Sequence, residues 1–252
     1  MATDLPSIRF LDLDFVDADY AQIAAELDRL SRSGTFSLVA TPNVDHIVML
    51  NQSDPDATTE QFRSATAAAA MLTCDSRVLQ TLAWFRGVKL PVVPGSDLTV
   101  YLFEQGCFDN RRVALIGGDA AMVEELRQRY PAISFAQHVP PMGVMASEVA
   151  IEAIESFILE QPFDYILFAI GAPRSEIIAH RCTRLPGAVG VALCIGASIE
   201  FLLGRKARAP RWVQRLRMEW AFRLLSEPRR LWRRYLVSGP QVFLIVQRWQ
   251  KT

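Results

Sequence analysis

The sequence predicts an α/β fold: a mainly parallel, Rossmann-like sheet with helices on both faces, followed by a basic, mostly helical C-terminal appendage. Three observations predict it. Short apolar runs alternate with stretches of helical periodicity about six times, the order that builds a parallel sheet through βαβ crossovers. Most of those runs end in small, polar or turn-forming residues: Thr41-Pro42-Asn43, Asp75-Ser76, Gly117-Gly118, Gly171-Ala172-Pro173 and Gly196-Ala197-Ser198. Charge is also divided unevenly along the chain. Of 27 basic residues, 13 fall between Arg205 and Thr252, but only 2 of the 27 acidic ones do. The expected division is therefore an α/β core over residues 1–204 and a basic amphipathic appendage over 205–252.

The elements follow in order. Residues 8–15 alternate roughly and read as a short opening strand. Ala18 to Ser31 places Tyr20, Ile23, Ala24, Leu27 and Leu30 at helical spacing, and Gly34 stops it. Phe36 to Thr41 reads as a buried strand ending in a proline turn. Helices are expected over Val44–Gln52, Asp56–Ala70 and Arg77–Phe85, with a buried strand over Ala70–Cys74. Ser96-Asp97 is placed to cap a helix starting near Leu98. Strands are expected over Arg112–Ile116, Pro131–Phe135, Phe163–Ile170 and Ala188–Ile195. Between them lie helices over Ala120–Arg129, Ser147–Glu160 and Ser175–Arg184.

Composition narrows the class. Half of the 252 residues are hydrophobic, enough for one large domain or a domain with an appendage, and too many for a disordered chain. No apolar run reaches the roughly 18 residues of a membrane span. Met1 to Phe10 lacks a basic segment leading into an apolar one, so no secretory signal is expected. Cys74, Cys107, Cys182 and Cys194 are scattered without a Cys-x-x-Cys pair, which fits reduced thiols in a cytoplasmic protein. His46, His138 and His180 show no metal-ligand spacing, so neither a metal site nor a cofactor is expected.

In parallel sheets ligands bind outside the carboxyl ends of the strands, and the candidate residues sit there. Asp75 follows a buried strand, where a carboxylate can take a proton from a hydroxyl; an Asp-Ser pair before a helix can equally be its cap. Thr41 and Asn43 bracket a proline and suit a substrate hydroxyl or phosphate, although Asn in such a turn also bonds its own backbone. Gly117-Gly118 opens a helix and could bring backbone N–H groups to a phosphate. It matches neither Gly-x-Gly-x-x-Gly nor a Walker motif, and a tight βα turn explains it equally. Glu200 could hold ribose hydroxyls or simply favour a helix N-terminus. Arg174 and Glu176, flanking Ser175, read as a solvated helix start.

The appendage interleaves its cations with Trp212, Trp220, Leu224, Leu225, Leu231, Trp232 and Tyr235. Arg and Trp at helical spacing suit a helix lying in a membrane interface with anionic headgroups. Nucleic acid is not the expected partner, because no recognition motif is present. A second reading of the whole chain is a non-catalytic nucleotide-binding module that its tail recruits to membranes.

Several motifs carry a family resemblance. They are Thr41-Pro-Asn-Val-Asp-His46, Cys74-Asp75-Ser76, Gly95-Ser-Asp-Leu98, Leu115-Ile-Gly-Gly118, Gly171-Ala-Pro-Arg-Ser-Glu176 and Gly196-Ala-Ser-Ile-Glu-Phe-Leu-Leu-Gly204. The strongest are Arg208-Ala-Pro-Arg-Trp-Val-Gln214 and the run from Glu219 to Tyr235. From about Phe10 to its end the chain resembles the WecG/TagA/CpsF bacterial glycosyltransferases. The resemblance implies an inverting, metal-independent transferase. Such an enzyme moves a sugar from a UDP-sugar donor to a polyprenyl-diphosphate-linked acceptor, peripherally on the inner face of the bacterial inner membrane, in cell-surface or exopolysaccharide biosynthesis. It implies Asp75 as general base, Thr41 and Asn43 in substrate handling and Glu200 near the ribose. It also implies that appendage arginines, with Arg211, Arg223 and Arg230 as candidates, complete the site at the membrane. Pro173 and Ser175 fall in a substrate-contacting motif. There the family's usual Pro-Lys-Gln-Glu is Pro173-Arg174-Ser175-Glu176, and an arginine common before Gly95 is missing. Self-association is compatible with this reading.

Overall fold

The computed structural model describes residues 3–206, 210, 213 and 219–250. The chain opens with an antiparallel hairpin, β1 (Ser7–Phe10) and β2 (Leu13–Val16), rather than the single opening strand expected over 8–15. Leu11 and Asp12 turn it at φ 52° and 60°. Two left-handed residues are what a two-residue hairpin turn requires, but neither is the Gly or Asn that announces one.

The expected parallel sheet follows. Its strands are β3 (Phe36–Ala40), β4 (Met71–Leu72), β5 (Arg112–Ile116), β6 (Ser134–His138), β7 (Tyr165–Phe168) and β8 (Gly190–Cys194). They lie side by side as β4-β3-β8-β7-β5-β6, all parallel. Every residue of β3, β7 and β8 is buried, as apolar runs covered on both faces must be. Two strands differ from expectation. Only Met71 and Leu72 of the 70–74 run join the ladder. The strand expected at Pro131–Phe135 instead pairs from Ser134, opposite Arg112, because Pro131 and Ala132 are used in the turn that receives the Asn110 N–H.

Side chains alternate between two layers. On one face Val113, Leu115, Leu167 and Leu193 pack under α1 (Tyr20–Ser31), α5 (Gly95–Glu104) and α6 (Ala120–Arg129). On the other, Ala114, Ile116, Ile166 and Phe168 pack with α3 (Ala57–Ala67), α7 (Glu148–Leu159) and α8 (Arg174–Cys182). Asp119 and Ser147 cap α6 and α7. The expected Ser96-Asp97 cap is not used: α5 begins at Gly95 behind Pro94, and both residues lie in its first turn. Pro94 already fixes an extended entry, so the helix starts earlier.

A third cluster joins the two ends of the chain. Phe10 and Phe15 of the hairpin pack with α2 (Val44–Leu50), α4 (Arg77–Phe85) and the last helix, Gln241–Arg248. Val242, Val246 and Trp249 are buried there, and Arg86 donates to the Trp249 carbonyl at 2.5 Å. Before that helix, the described part of the appendage forms helices at Glu219–Ser226 and Pro228–Trp232 and a π-helical turn at Arg233–Ser238. Among the described residues no helix is long and apolar enough to cross a membrane.

Candidate active site

The strand ends surround a cleft of about 330 Å³. Thr41, Asn43, Asp75, Ser175 and Glu200 all line it, drawn from four separate turns. Gly117, Gly118 and Pro173 are not in its lining. The two glycines adopt φ 103° and 73°, as a tight βα turn requires, and Gln137 donates across that turn to the carbonyls of Gly117 and Asp119. Pro173 follows a cis peptide bond at the edge of the cleft, between lining residues Ala172 and Arg174. Arg211 and the side chains of Arg223 and Arg230 lie outside the described residues.

Backbone bonds fix Asp75 in place. Beyond the short β4 the chain continues alongside β3: the Thr73 N–H donates to Ala40 at 3.1 Å, and the Asp75 N–H donates to Pro42 at 2.9 Å. Asp75 therefore sits next to the Thr41–Asn43 turn. Ser76, not Asp75, caps α4, its Oγ accepting the Leu79 N–H at 3.2 Å. The capping role open to the carboxylate is thus filled by its neighbour. Thr41 lies against the start of α5, where a Cβ on Gly95 would meet its Oγ1 at 2.9 Å.

Asn43 is a cap. Its Oδ1 accepts the Asp45 N–H at 3.0 Å and the His46 N–H at 3.5 Å, and its own N–H donates to His46 Nδ1 at 3.4 Å. His46 Nε2 in turn lies 3.4 Å from Glu176 Oε1. Glu176, read from sequence as part of a solvated helix start, is 3% exposed. Helix α8 packs against β3, β8 and α3, and Ser175 and Glu176 in its first turn are buried. Sequence reasoning also passed over His46; its place three residues after a capping Asn was the available signal.

The cleft is mixed in charge. Asp75, Glu176 and Glu200 face Arg174 and Lys206 among the described lining residues. Lys206 Nζ lies 2.6 Å from Glu200 Oε2, and Arg205 pairs with Asp119 and Glu125 outside the cleft. The N-termini of α5 and α8 also open here, and each adds a partial positive charge suited to an anion. Burial pushes the Cys74 thiol up to about 12, and burial with the Glu176 charge holds Cys194 well above the ordinary thiol range, so neither is poised as a thiolate nucleophile. Among the described residues no group of three or more His, Cys, Asp or Glu is placed to hold a metal ion. The arrangement can hold an anionic ligand against two cations while presenting a carboxylate to a hydroxyl.

Fold and cleft together define a doubly wound α/β protein with its ligand site at the carboxyl ends of the strands. The chain belongs to the glycosyl transferase WecG/TagA/CpsF family, whose model matches residues 8–252. It is similar to an N-acetylglucosaminyldiphosphoundecaprenol N-acetyl-beta-D-mannosaminyltransferase of Bacillus spizizenii, 27% identical over 89% of this chain and 84% of the relative. A Staphylococcus aureus protein of the same name is 25% identical over 90% of this chain and 87% of that one.

Proposed function

We propose that this glycosyltransferase moves a sugar from a UDP-sugar to a sugar carried on a polyprenyl diphosphate, inverting the anomeric centre and using no metal ion. It would act peripherally at the cytoplasmic face of a bacterial inner membrane, in cell-surface polysaccharide assembly. The names of the two relatives, both acting on N-acetylglucosaminyldiphosphoundecaprenol, support the lipid-linked acceptor. The observation that carries the chemistry is Asp75, held by its backbone at the cleft while Ser76 takes the helix cap.

In this mechanism the uridine ribose lies by Glu200, and the diphosphate lies toward Arg174, Lys206 and the helix N-termini. Asp75 takes the proton from an acceptor hydroxyl. The oxygen attacks the anomeric carbon from the face opposite UDP. The bond to the phosphate oxygen breaks, and its electron pair leaves on UDP. The cations offset the charge that develops there, a stabilisation that grows toward the transition state. Thr41 and Asn43 border the reacting centre. The appendage arginines Arg211, Arg223 and Arg230 would neutralise the lipid diphosphate.

The test is a screen of UDP-glucose, UDP-N-acetylmannosamine and its uronic acid against a short-chain polyprenyl-diphosphate sugar, with and without chelator. One donor should give UDP and a glycosidic product of opposite anomeric configuration, at a rate unchanged by chelator. Binding of UDP without turnover of any donor would favour the non-catalytic module instead.

A further inference from the structure

Glu176 is not used by that mechanism. It lines the cleft, and its Oε2 is buried with no hydrogen-bond partner among the described residues. The other oxygen is held by His46. Because His46 Nδ1 accepts the Asn43 N–H, the ring proton is on Nε2, facing Glu176 Oε1 at 3.4 Å. The carboxylate is therefore oriented on one side and left unsatisfied on the other. The Oγ of the neighbouring Ser175 is likewise buried without a partner among the described residues. Buried polar groups are almost always paired, so an orphan at a cleft points to a donor brought by the ligand. An ionised carboxylate only accepts hydrogen bonds, and would repel a diphosphate. Through His46 it is connected to the Thr41–Asn43 turn, beside which Asp75 is held.

We propose that Glu176, positioned by His46, accepts a hydroxyl or amide N–H of the transferred sugar and so helps to select which sugar the cleft takes. This rests on the reading of the cleft as a UDP-sugar site. It can be separated from that reading by titrating UDP, UDP-N-acetylmannosamine and UDP-glucose into the wild type and Glu176→Gln. Glutamine keeps an oxygen for His46 and turns the other position into a donor. The expected result is an unchanged dissociation constant for UDP within twofold, with that for the preferred UDP-sugar raised about tenfold, the loss of roughly 1.4 kcal/mol. Equal sugar discrimination in the two proteins would overturn the assignment alone. Failure of the wild type to bind UDP would overturn the cleft reading and the assignment together. If Glu176→Gln does not fold, deoxy analogues of the preferred UDP-sugar on the wild type replace it. One hydroxyl or amide whose removal weakens binding about tenfold supports the assignment, and indifference at every position overturns it.

Discussion

His46 Nε2 meets Glu176 Oε1 across 130 residues of chain, and this contact ties the turn after β3 to the start of α8. Both groups are buried, and β8 ends between the two turns they join. Removing the imidazole strands both carboxylate oxygens. His46→Ala should therefore lose about 1–3 kcal/mol in urea unfolding, the cost of a buried acceptor left unpaired. Adding Glu176→Ala should cost less than the sum of the two single changes, because the pair acts as a unit.

Lys206 is expected to contact the donor diphosphate, exchanging the Glu200 carboxylate for phosphate when ligand binds. Lys206→Ala should weaken UDP binding about tenfold, the loss of one charge-assisted hydrogen bond. Titration at low and high salt checks this, and the gap should narrow as salt screens the charge.

The appendage divides into parts with different duties. Trp249 is buried and meets Phe10 edge-on, with ring centroids 5.1 Å apart. Trp249→Ala should cost about 3–5 kcal/mol in unfolding free energy. Deleting residues 205–252 would strip Val242, Val246 and Trp249 from the third cluster, so it tests folding as much as membrane binding. Leu225 and Trp232 are exposed. Leu225→Ser should change stability by less than about 0.5 kcal/mol, and Trp232→Ser, which also loses the ring under Arg233, by more. Both should reduce pelleting with vesicles containing anionic lipid, as loss of interfacial side chains requires.

Acid should destabilise the fold through His180. Its ring is buried, and Arg184 Nη2 donates to its Nε2 at 3.3 Å, so it must be neutral. Burial and the Arg184 charge both lower its pKa. A folded-state pKa below the unfolded value of about 6.5 means that the unfolded chain binds the proton first. This contribution is whole above about 6.5 and is lost as pH falls below it. Urea midpoints at pH 7.5 and 5.5 should show a smaller fall in His180→Gln than in the wild type.

Much of the fold can be read from the chain because local signals agree with tertiary ones. Helix α6 occupies the expected residues, since Asp119 caps it and its apolar face faces the sheet. The alternation of apolar runs gives the parallel sheet, and their polar ends give the cleft that gathers Thr41, Asn43, Asp75, Ser175 and Glu200. What is hidden depends on partners distant in sequence. Leu11 turns a hairpin without the residue type that favours it. Glu176 has the sequence of a solvated helix start and is buried by elements more than a hundred residues away, His46 among them. The burial of Trp249 against Phe10 likewise joins the chain's two ends, which no periodicity reveals.

If Asp75 removes the proton from the acceptor hydroxyl, single-turnover transfer by Asp75→Asn will report its loss. Asparagine keeps the shape and the backbone bond to Pro42 but cannot take the proton. With the donor and lipid-linked acceptor found by the screen, transfer should slow by about 10²–10⁴-fold, with UDP binding retained. Transfer at near wild-type rate would contradict the base role of Asp75.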